Sequence, residues 1–508
     1  PTVDHARSRW MNYNNCDKLT HDVLVKRQAF ELEHLYSLLN IKYMGVTPAG
    51  MDEIVKKKKQ CLQSKMPRLV NFPKYWNETF EYTLDLMRVC TKEAQGLCDD
   101  IWMMPDPYFY VWTFYWDSAL TAHSYCEFDA DAAGRTILTY LRGGIQDNGS
   151  DWIQFNPEYA YRWDAPQLMN PPRALWECYQ ITKNTELIEK AYPILCRHQR
   201  WLDTVWNRQS ESPIPDYGPN IDYGCSLHNE RHIWTDVVTF QVGQFELLSK
   251  MAALLNLSEA DEWQRRADDL KAMINKYMWD EEDGTYYCLK SSDLTKSPVA
   301  LPIEFYSLTT GIANQNQAEK LVSRLMDKNK YAPGGIGRFF CPSVAYDDPT
   351  FKIVPETPGG WGGNIWLVEA YYTVCGLVRY GFQDEAQKVA ENLFGMVSKE
   401  YARTGTVWEQ YNPADGTGIH LKYFASGITS SIVNLLIRGV FGIERTDNAD
   451  EFYMTPRPLG DEWHGIENIA ISGGRRINAY IRRAGGKVLC RITLACGAPV
   501  KNAEIEAH

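Results

Sequence analysis

A carboxylate flanked by aromatic rings stands out in the stretch TVWEQYNPADGTG, residues 406–418. Glu409 lies between Trp408 and Tyr411, and an Asn-Pro turn and two glycines follow it. Aromatic neighbours withdraw a carboxylate partly from water, which suits a group that must exchange protons with a substrate. A loop glutamate that only bonds its own turn is the simpler alternative. The pattern makes Glu409 a candidate general acid or base.

A second acidic stretch is IPDYGPNIDYGCS, residues 214–226. Asp216 and Asp222 lie six positions apart, and each is followed by a tyrosine whose hydroxyl is able to orient a carboxylate. Gly218, Pro219 and Gly224 favour an unusual backbone path in this stretch. Either aspartate is therefore a candidate acid partner for Glu409, although an Asx-turn or a helix-cap role is an equal alternative.

Two aromatic stretches have the composition of a sugar-binding wall. FYWDSAL, residues 114–120, contains Trp116 and Asp117, and PGGWGGNIWL, residues 358–367, contains Trp361, Asn364 and Trp366. Indole faces stack on sugar rings, while carboxylate and amide groups bind hydroxyls. Asp117 also suits the N-terminus of a helix, and the glycines also suit close helix packing. These five residues are predicted substrate contacts, with those alternatives open.

Other chemistries have weaker signatures. The sequence has no GxSxG, P-loop, HExxH or GxGxxG motif, so no cofactor is expected. His228 and His232 share a helical spacing, but no third ligand is near, so no metal is expected either. The same histidine pair is the best candidate for proton transfer in a sugar isomerase.

Composition narrows the class of partner. The 508 residues have a formal net charge of -11, and Lys56–Lys59 is the strongest basic run, which argues against nucleic acid. No apolar stretch is long enough to cross a membrane. The chain has 17 Trp and 30 Tyr, which favours a small carbohydrate ligand. Thirteen scattered cysteines without metal-ligand spacing favour the cytoplasm over a secreted or periplasmic location, and the oligomeric state is left open.

Helical periodicity organises most of the chain. One-sided apolar stripes, such as Ala318, Leu321, Val322 and Leu325, recur in about twelve segments. Short turns join them in pairs, and six such pairs predict an (α/α)6 toroid. The segments are 78–97, 117–127, 129–142, 171–182, 185–206, 236–255, 259–278, 302–311, 315–327, 363–380, 383–400 and 424–437.

Three domains are predicted from this pattern. Residues 1–75 form an N-terminal extension that is helical or irregular, residues 76–445 the barrel, and residues 446–508 a small β-rich unit with Gly-Gly turns. Long aromatic connections should gather at one rim of the barrel, where they form the candidate site. They span residues 101–117, 143–171, 207–235, 333–363 and 401–424.

The order of these motifs resembles the (α/α)6 glycoside hydrolases of family 63, family 37 trehalases and mannosylglycerate hydrolases. The resemblance covers residues 105–440 and rests on FYWDSAL, NPPRALWECY, DDPTF…PGGWGGNIW, GLVRYGFQDEAQKVAENL and WEQYNPADGTG. It implies that Glu409 is the general base, with Tyr411 beside it as a substrate contact. It implies that Asp222 is the general acid, with Asp216 as the alternative acid or as a further substrate contact.

Two departures from the family pattern limit what the resemblance implies. The serine that usually precedes the acid is missing near Asp222, and WGGNIW replaces the usual Trp-Arg-Gly-Pro, so no sugar is assigned. The expected reaction is hydrolysis of an α-linked O-glycosidic bond with inversion, which needs two carboxyl groups with room for water between them. A sugar isomerase and a catalytically silent carbohydrate-binding protein are the alternatives.

Overall fold

The computed structural model describes most of the chain beyond residue 65. Three candidate residues from the sequence, Asp222, Trp361 and His228, lie outside the described part. The described residues are 66–106, 112–150, 154–155, 157, 160–161, 171–206, 212–217, 232–335, 337–354, 362–422, 424 and 427–497.

Helices dominate the described part. In chain order they are α1 (Lys74–Cys90), α2 (Tyr115–Gly144), α3 (Pro171–Thr182), α4 (Thr185–Trp201), α5 (Thr235–Leu254), α6 (Ala260–Tyr277), α7 (Tyr306–Thr309), α8 (Gln315–Leu325), α9 (Leu367–Arg379), α10 (Gln383–Thr404) and α11 (Gly427–Asn434). Short π-helical turns extend α4 over Leu202–Trp206 and α11 over Leu435–Val440, and a 3₁₀ turn over Pro302–Phe305 precedes α7.

The sequence stripes correspond to the buried faces. In α8 the buried side chains include Ala318, Leu321, Val322 and Leu325, as the spacing predicts. The helix begins at a capping box in which Asn314 and Gln317 bond each other's backbone amides.

Helix α2 is two helices joined at a kink. Asp129 has φ -148° and ψ 83°, which no helix accommodates, so Tyr115–Phe128 and Ala130–Gly144 are separate helical segments. The sequence prediction, with segments 117–127 and 129–142, placed the boundary within one residue of this kink. With this division, the described part of the chain contains twelve helical segments, the number that six pairs require.

The six inner segments form a closed ring. The first half of α2 is followed around the ring by α3, α5, α7, α9 and α11, and α11 contacts α2 again. The inner helix α9 is buried at every residue from Leu367 to Val378, because neighbours surround it. Helices packed only on one side retain a polar face, as α6 does. The predicted (α/α)6 toroid is confirmed.

Short strands connect the helices, and one larger sheet follows them. The strands are β1 (Arg68–Val70), β2 (Thr91–Lys92), β3 (Trp102–Met103), β4 (Thr113–Phe114), β5 (Gln154–Phe155), β6 (Ala160–Tyr161), β7 (His232–Ile233), β8 (Trp279–Asp280), β9 (Thr285–Tyr286), β10 (Leu289–Lys290), β11 (Trp408–Tyr411), β12 (Gly418–Lys422), β13 (Ile443–Arg445), β14 (Phe452–Met454), β15 (His464–Ala470), β16 (Arg476–Ala484) and β17 (Lys487–Leu494).

The small C-terminal β unit is an antiparallel sheet with strand order β1-β15-β16-β17. Gly485 and Gly486 have positive φ in the β16–β17 turn, where glycine is the residue that adopts this backbone most easily. Strand β1 pairs with β15, so a segment from the region predicted as the N-terminal extension completes this sheet. The domain boundaries themselves stay a prediction.

Among the helices of the described residues, none is long and apolar enough to cross a membrane.

Ten cysteines lie in the described part, all are free thiols, and eight of them are buried. The eight buried cysteines therefore pack as small apolar side chains, as the scattered sequence pattern indicates.

Candidate active site

Glu409 lies on a strand, not in a turn as the sequence suggested. Strands β11 and β12 form an antiparallel hairpin whose loop includes Gly416 with φ 79°. The loop prediction failed because Trp408 and Tyr411, whose types favour strands, find a partner strand just beyond the Asn-Pro turn. The side chain of Glu409 is buried, with 4% of its surface exposed.

Pairing within the hairpin is irregular at Glu409. Trp408 pairs with Lys422, and Gln410 pairs with Ile419, so the register shifts between them. Between these pairs β11 has one residue, Glu409, and β12 has two, so Glu409 lies opposite a bulge in β12. Bulges of this kind are common beside active sites.

Tyr411 stabilises the hairpin through its buried side chain. Its ring is fully buried, and its hydroxyl accepts a hydrogen bond from the backbone N–H of Trp408 over 3.1 Å. Burial raises the pKa of Tyr411 well above its ordinary value, although the bond from Trp408 opposes the shift. The hydroxyl thus stays protonated. Its predicted contact with substrate remains a prediction.

The Asn364 segment lies alongside the strand of Glu409. Ile365 N donates to Tyr411 O over 2.8 Å, and Tyr411 N donates to Ile365 O over 3.0 Å. The Asn364 side chain donates from Nδ2 to Gln410 Oε1 over 2.7 Å. The two stretches that the sequence singled out separately therefore meet side by side.

Trp116 and Trp366, which were each predicted to stack on a sugar ring, contact each other. The rings of Trp116 and Trp366 are stacked with centroids 6.0 Å apart and planes 27° apart. Both belong to a larger aromatic cluster in the barrel interior, to which α5, α7 and α9 contribute Phe240, Tyr306 and Tyr372. All five rings are buried, with at most 4% of their surface exposed. Aromatic faces are the kind of surface on which sugar rings stack.

Asp117 occupies the first turn of α2 and is half-buried. A carboxylate at this position is stabilised by the helix dipole, so the helix-terminus alternative and the sugar-binding prediction are compatible. Asp117 follows Trp116 directly, which places it next to the aromatic cluster.

Asp216 is buried in a different segment. Its Oδ2 accepts a hydrogen bond from Ser291 Oγ over 3.1 Å. The next residue, Tyr217, bonds Asp203 over 3.4 Å, and Arg266 donates twice to that same carboxylate over 2.8 Å. The start of the loop that leads to Asp222 is therefore anchored on the outer helices.

The structure does not test the alternative in which His228 and His232 transfer protons in a sugar isomerase. His232 is buried in β7, with its ring 6.0 Å from that of Trp234, and its proposed companion His228 lies outside the described residues. Over the described ranges, no group of three or more His, Cys, Asp or Glu side chains is placed to hold a metal ion.

A buried polar cluster was missed by the sequence reasoning. Glu177 accepts hydrogen bonds from His123 Nδ1 over 2.7 Å and from Arg438 Nη2 over 3.0 Å. Arg173 Nε lies 3.7 Å from the same carboxylate, and its guanidinium lies 5.7 Å from the ring centroid of Tyr372 in the aromatic cluster. Arg173 and Glu177 lie one turn apart on α3, whereas His123 comes from α2 and Arg438 from the π-helical turn that extends α11. No local pattern reveals how these three elements meet.

The cluster fixes its own charge states. Burial alone would raise the pKa of Glu177, but the hydrogen bond from His123 and the positive charge of Arg438 hold that pKa well below its usual range. Burial lowers the pKa of His123, and this effect outweighs the opposing effect of Glu177. The carboxylate therefore stays ionised and the imidazole neutral near pH 7.

Comparison with known proteins supports this picture. Residues 224–426 match the model of the mannosylglycerate hydrolase MGH1-like glycoside hydrolase domain. The match includes Glu409, Asn364 and Trp366 and begins just after Asp222. The cytosolic neutral trehalase of Kluyveromyces lactis is 28% identical over 165 residues, which are 32% of this chain and 21% of that protein.

Solved structures show the same fold. The GH63 mannosylglycerate hydrolase from Thermus thermophilus in complex with glucose aligns with TM-score 0.58 and 17% identity, covering 71% of this chain and 100% of that one. A sialidase aligns with TM-score 0.69 and 14% identity, covering 93% of this chain and 43% of that one.

The curated relatives that match are longer than the aligned part, since the chain covers from 21% to 50% of the first two. The predicted resemblance to the family 63 and trehalase group is confirmed. The predicted enzyme class, a glycosidase, agrees with these comparisons.

Proposed function

We propose that this protein hydrolyses an α-linked O-glycosidic bond of a small glycoside or oligosaccharide with inversion. The observation that carries the proposal is Glu409, a buried carboxylate on a strand that is paired with the Asn364 segment next to Trp366. That whole region lies within the match to a glycoside hydrolase domain.

The mechanism uses two carboxyl groups in opposite roles. Asp222 donates its proton to the glycosidic oxygen while the bond from the anomeric carbon to that oxygen breaks. Glu409 takes a proton from a water molecule, whose oxygen forms the new bond on the opposite face of the sugar. This geometry requires the two carboxyl groups to be roughly 6.5–9.5 Å apart, so that water fits between them.

Substrate binding is assigned to the aromatic cluster and its neighbours. Trp116 and Trp366 supply ring faces, and Asp117 accepts hydrogen bonds from sugar hydroxyls. Trp361 is proposed as a third ring. The names of the similar proteins, trehalase and mannosylglycerate hydrolase, denote enzymes that act on small glycosides, which supports a substrate of this size.

The proposed compartment is the cytoplasm. The free buried cysteines support a reducing environment, and a similar trehalase is described as cytosolic.

A product assay tests the proposed reaction. The protein is incubated with a panel of aryl glycosides and disaccharides, and the anomer of the first product is assigned by NMR before mutarotation. The expected result is a new reducing end of inverted configuration. A retained anomer would contradict the mechanism. A converted sugar without a new reducing end would indicate an isomerase, and binding without turnover would indicate a catalytically silent binding protein.

Substitution of the proposed base completes the test. Glu409→Gln keeps the size and polarity of the side chain but cannot accept the proton, so turnover should fall by about 10²- to 10⁴-fold while binding persists. Glu391→Gln, an exposed change on α10, is the control and should be fully active. An active Glu409→Gln variant would remove Glu409 from the mechanism.

A further inference from the structure

We propose that Asn364 and Gln410 act as positioning residues that fix the orientation of Glu409. The sequence alone assigned Asn364 to substrate binding and assigned nothing to Gln410. This inference rests on the proposed function, because it supposes that Glu409 is the base.

The amide of Asn364 is already occupied by protein groups. Its Oδ1 accepts from Val354 N over 3.1 Å, and its Nδ2 donates to Val354 O over 2.8 Å and to Gln410 Oε1 over 2.7 Å. A primary amide has two N–H groups, and both are used here. Asn364 thus has no donor left for a sugar hydroxyl without breaking a bond within the protein.

Backbone hydrogen bonds also fix the segment that contains Asn364. Asn364 O accepts from Ser343 N over 2.9 Å, and the next residue, Ile365, exchanges two hydrogen bonds with Tyr411. Asn364 is also fully buried. The amide that reaches Gln410 therefore projects from a fixed support.

The orientation of Glu409 depends on this fixed segment, because the β11–β12 strand pairing is irregular at Glu409. The register of the hairpin shifts between Trp408 and Gln410, so the β12 ladder alone does not set the direction of Glu409. Successive side chains of a strand point to opposite faces, so holding Gln410 on one face constrains where Glu409 points on the other. The Asn364–Gln410 hydrogen bond is made at the residue immediately after Glu409.

The expected consequence is a loss of turnover rather than of binding. A catalytic group displaced by about 1 Å can lose on the order of 10²-fold in rate. We expect kcat of Asn364→Ala and Gln410→Leu to fall by roughly 10- to 100-fold, with KM unchanged.

The experiment measures kcat, KM and unfolding for both single variants and for the double variant. Because both changes remove the same hydrogen bond, the double variant should lose little more kcat than either single one. Gln244→Met is the matched control, since it removes a buried amide–amide bond to Gln199 in another part of the barrel. It should lower stability while leaving kcat unchanged.

Three outcomes would overturn the inference. They are an unchanged kcat in both single variants, a raised KM with unchanged kcat in Asn364→Ala, or independent losses that multiply in the double variant. Glu409→Gln is assayed in parallel on the same substrate. If it is inactive while Asn364→Ala and Gln410→Leu keep full kcat, this inference fails and the proposed function stands; if Glu409→Gln is active, the proposed function fails first.

Discussion

Trp116 and Trp366 stack with ring centroids 6.0 Å apart and planes 27° apart, although 250 positions separate them in the sequence. Trp116 opens the inner helix α2, and Trp366 directly precedes the inner helix α9. The stack therefore joins two inner helices that lie far apart in the sequence. It also lies one residue from Ile365, which pairs with the strand of Glu409.

Replacing Trp366 by Phe should weaken substrate binding. A smaller ring removes part of the stacking surface, and aromatic pairs contribute about 0.5–1.5 kcal/mol beyond burial, so KM should rise by roughly 2- to 10-fold. The measurement is steady-state kinetics on the best substrate of the panel. Trp263, on the outer helix α6, forms a comparable buried stack with Phe245, so Trp263→Phe is the control and should leave KM unchanged. An unaltered KM in Trp366→Phe would argue against a sugar-binding role.

Asp222 and Asp216 can be separated by leaving-group chemistry. If Asp222 is the general acid, kcat of Asp222→Asn should fall on the order of 10²- to 10⁴-fold on a disaccharide. It should fall much less on a glycosyl fluoride, because the fluoride ion leaves without being protonated. Asp216→Asn should show no such selectivity, because its carboxylate is committed to Ser291. The reverse pattern would assign the acid to Asp216.

Stability should fall in mild acid because of His123. Burial lowers the pKa of His123 in the folded state, whereas the unfolded side chain titrates near its ordinary value. The unfolded state therefore takes up the proton first, so the free energy of unfolding is fully retained above about pH 6.5 and falls below it by at most about 1.4 kcal/mol per pH unit. Glu177, whose folded pKa is depressed, adds a loss only below about pH 4.5.

Urea unfolding between pH 5 and pH 8 tests this prediction. The variant His123→Asn removes the titrating group and keeps a donor for Glu177, so its free energy of unfolding should vary less steeply with pH than that of the parent. Equal slopes in the two proteins would show that His123 does not control the acid limb.

Glu400 should stabilise the hairpin of Glu409. Its buried carboxylate accepts from Gly418 N over 2.9 Å and pairs with Arg403 over 2.6 Å. Glu400→Ala leaves the Gly418 N–H without its acceptor, so a loss of about 1–3 kcal/mol in unfolding free energy is expected. Hydrogen exchange at Gly418 should accelerate as well.

The control for Glu400 is a looser pair on the same helix. Glu385 lies 3.6 Å from Lys388, whose side chain is largely exposed, so Glu385→Ala should change stability by less than about 0.5 kcal/mol. Unchanged exchange at Gly418 in Glu400→Ala would rule out this support of the hairpin.

The sequence was sufficient for the helices and the ring they form. Apolar stripes such as that of α8 identify a buried face because helical periodicity is a local property, and short turns between stripes force neighbouring helices to pack. The predicted boundary between segments 117–127 and 129–142 also came within one residue of the break at Asp129. The same local reasoning placed Glu409 in a turn, because the strand character of β11 depends on pairing with β12, which follows that turn in the sequence.

The tertiary structure alone decided which of those pieces meet. The stack of Trp116 on Trp366, the bond from Asn364 to Gln410 and the cluster around Glu177 all join residues from different helices or loops. Periodicity fixes the buried face of each helix but carries no information about the partner across the barrel. That choice is made only when the ring of inner helices closes, because closure sets which side chains share the interior.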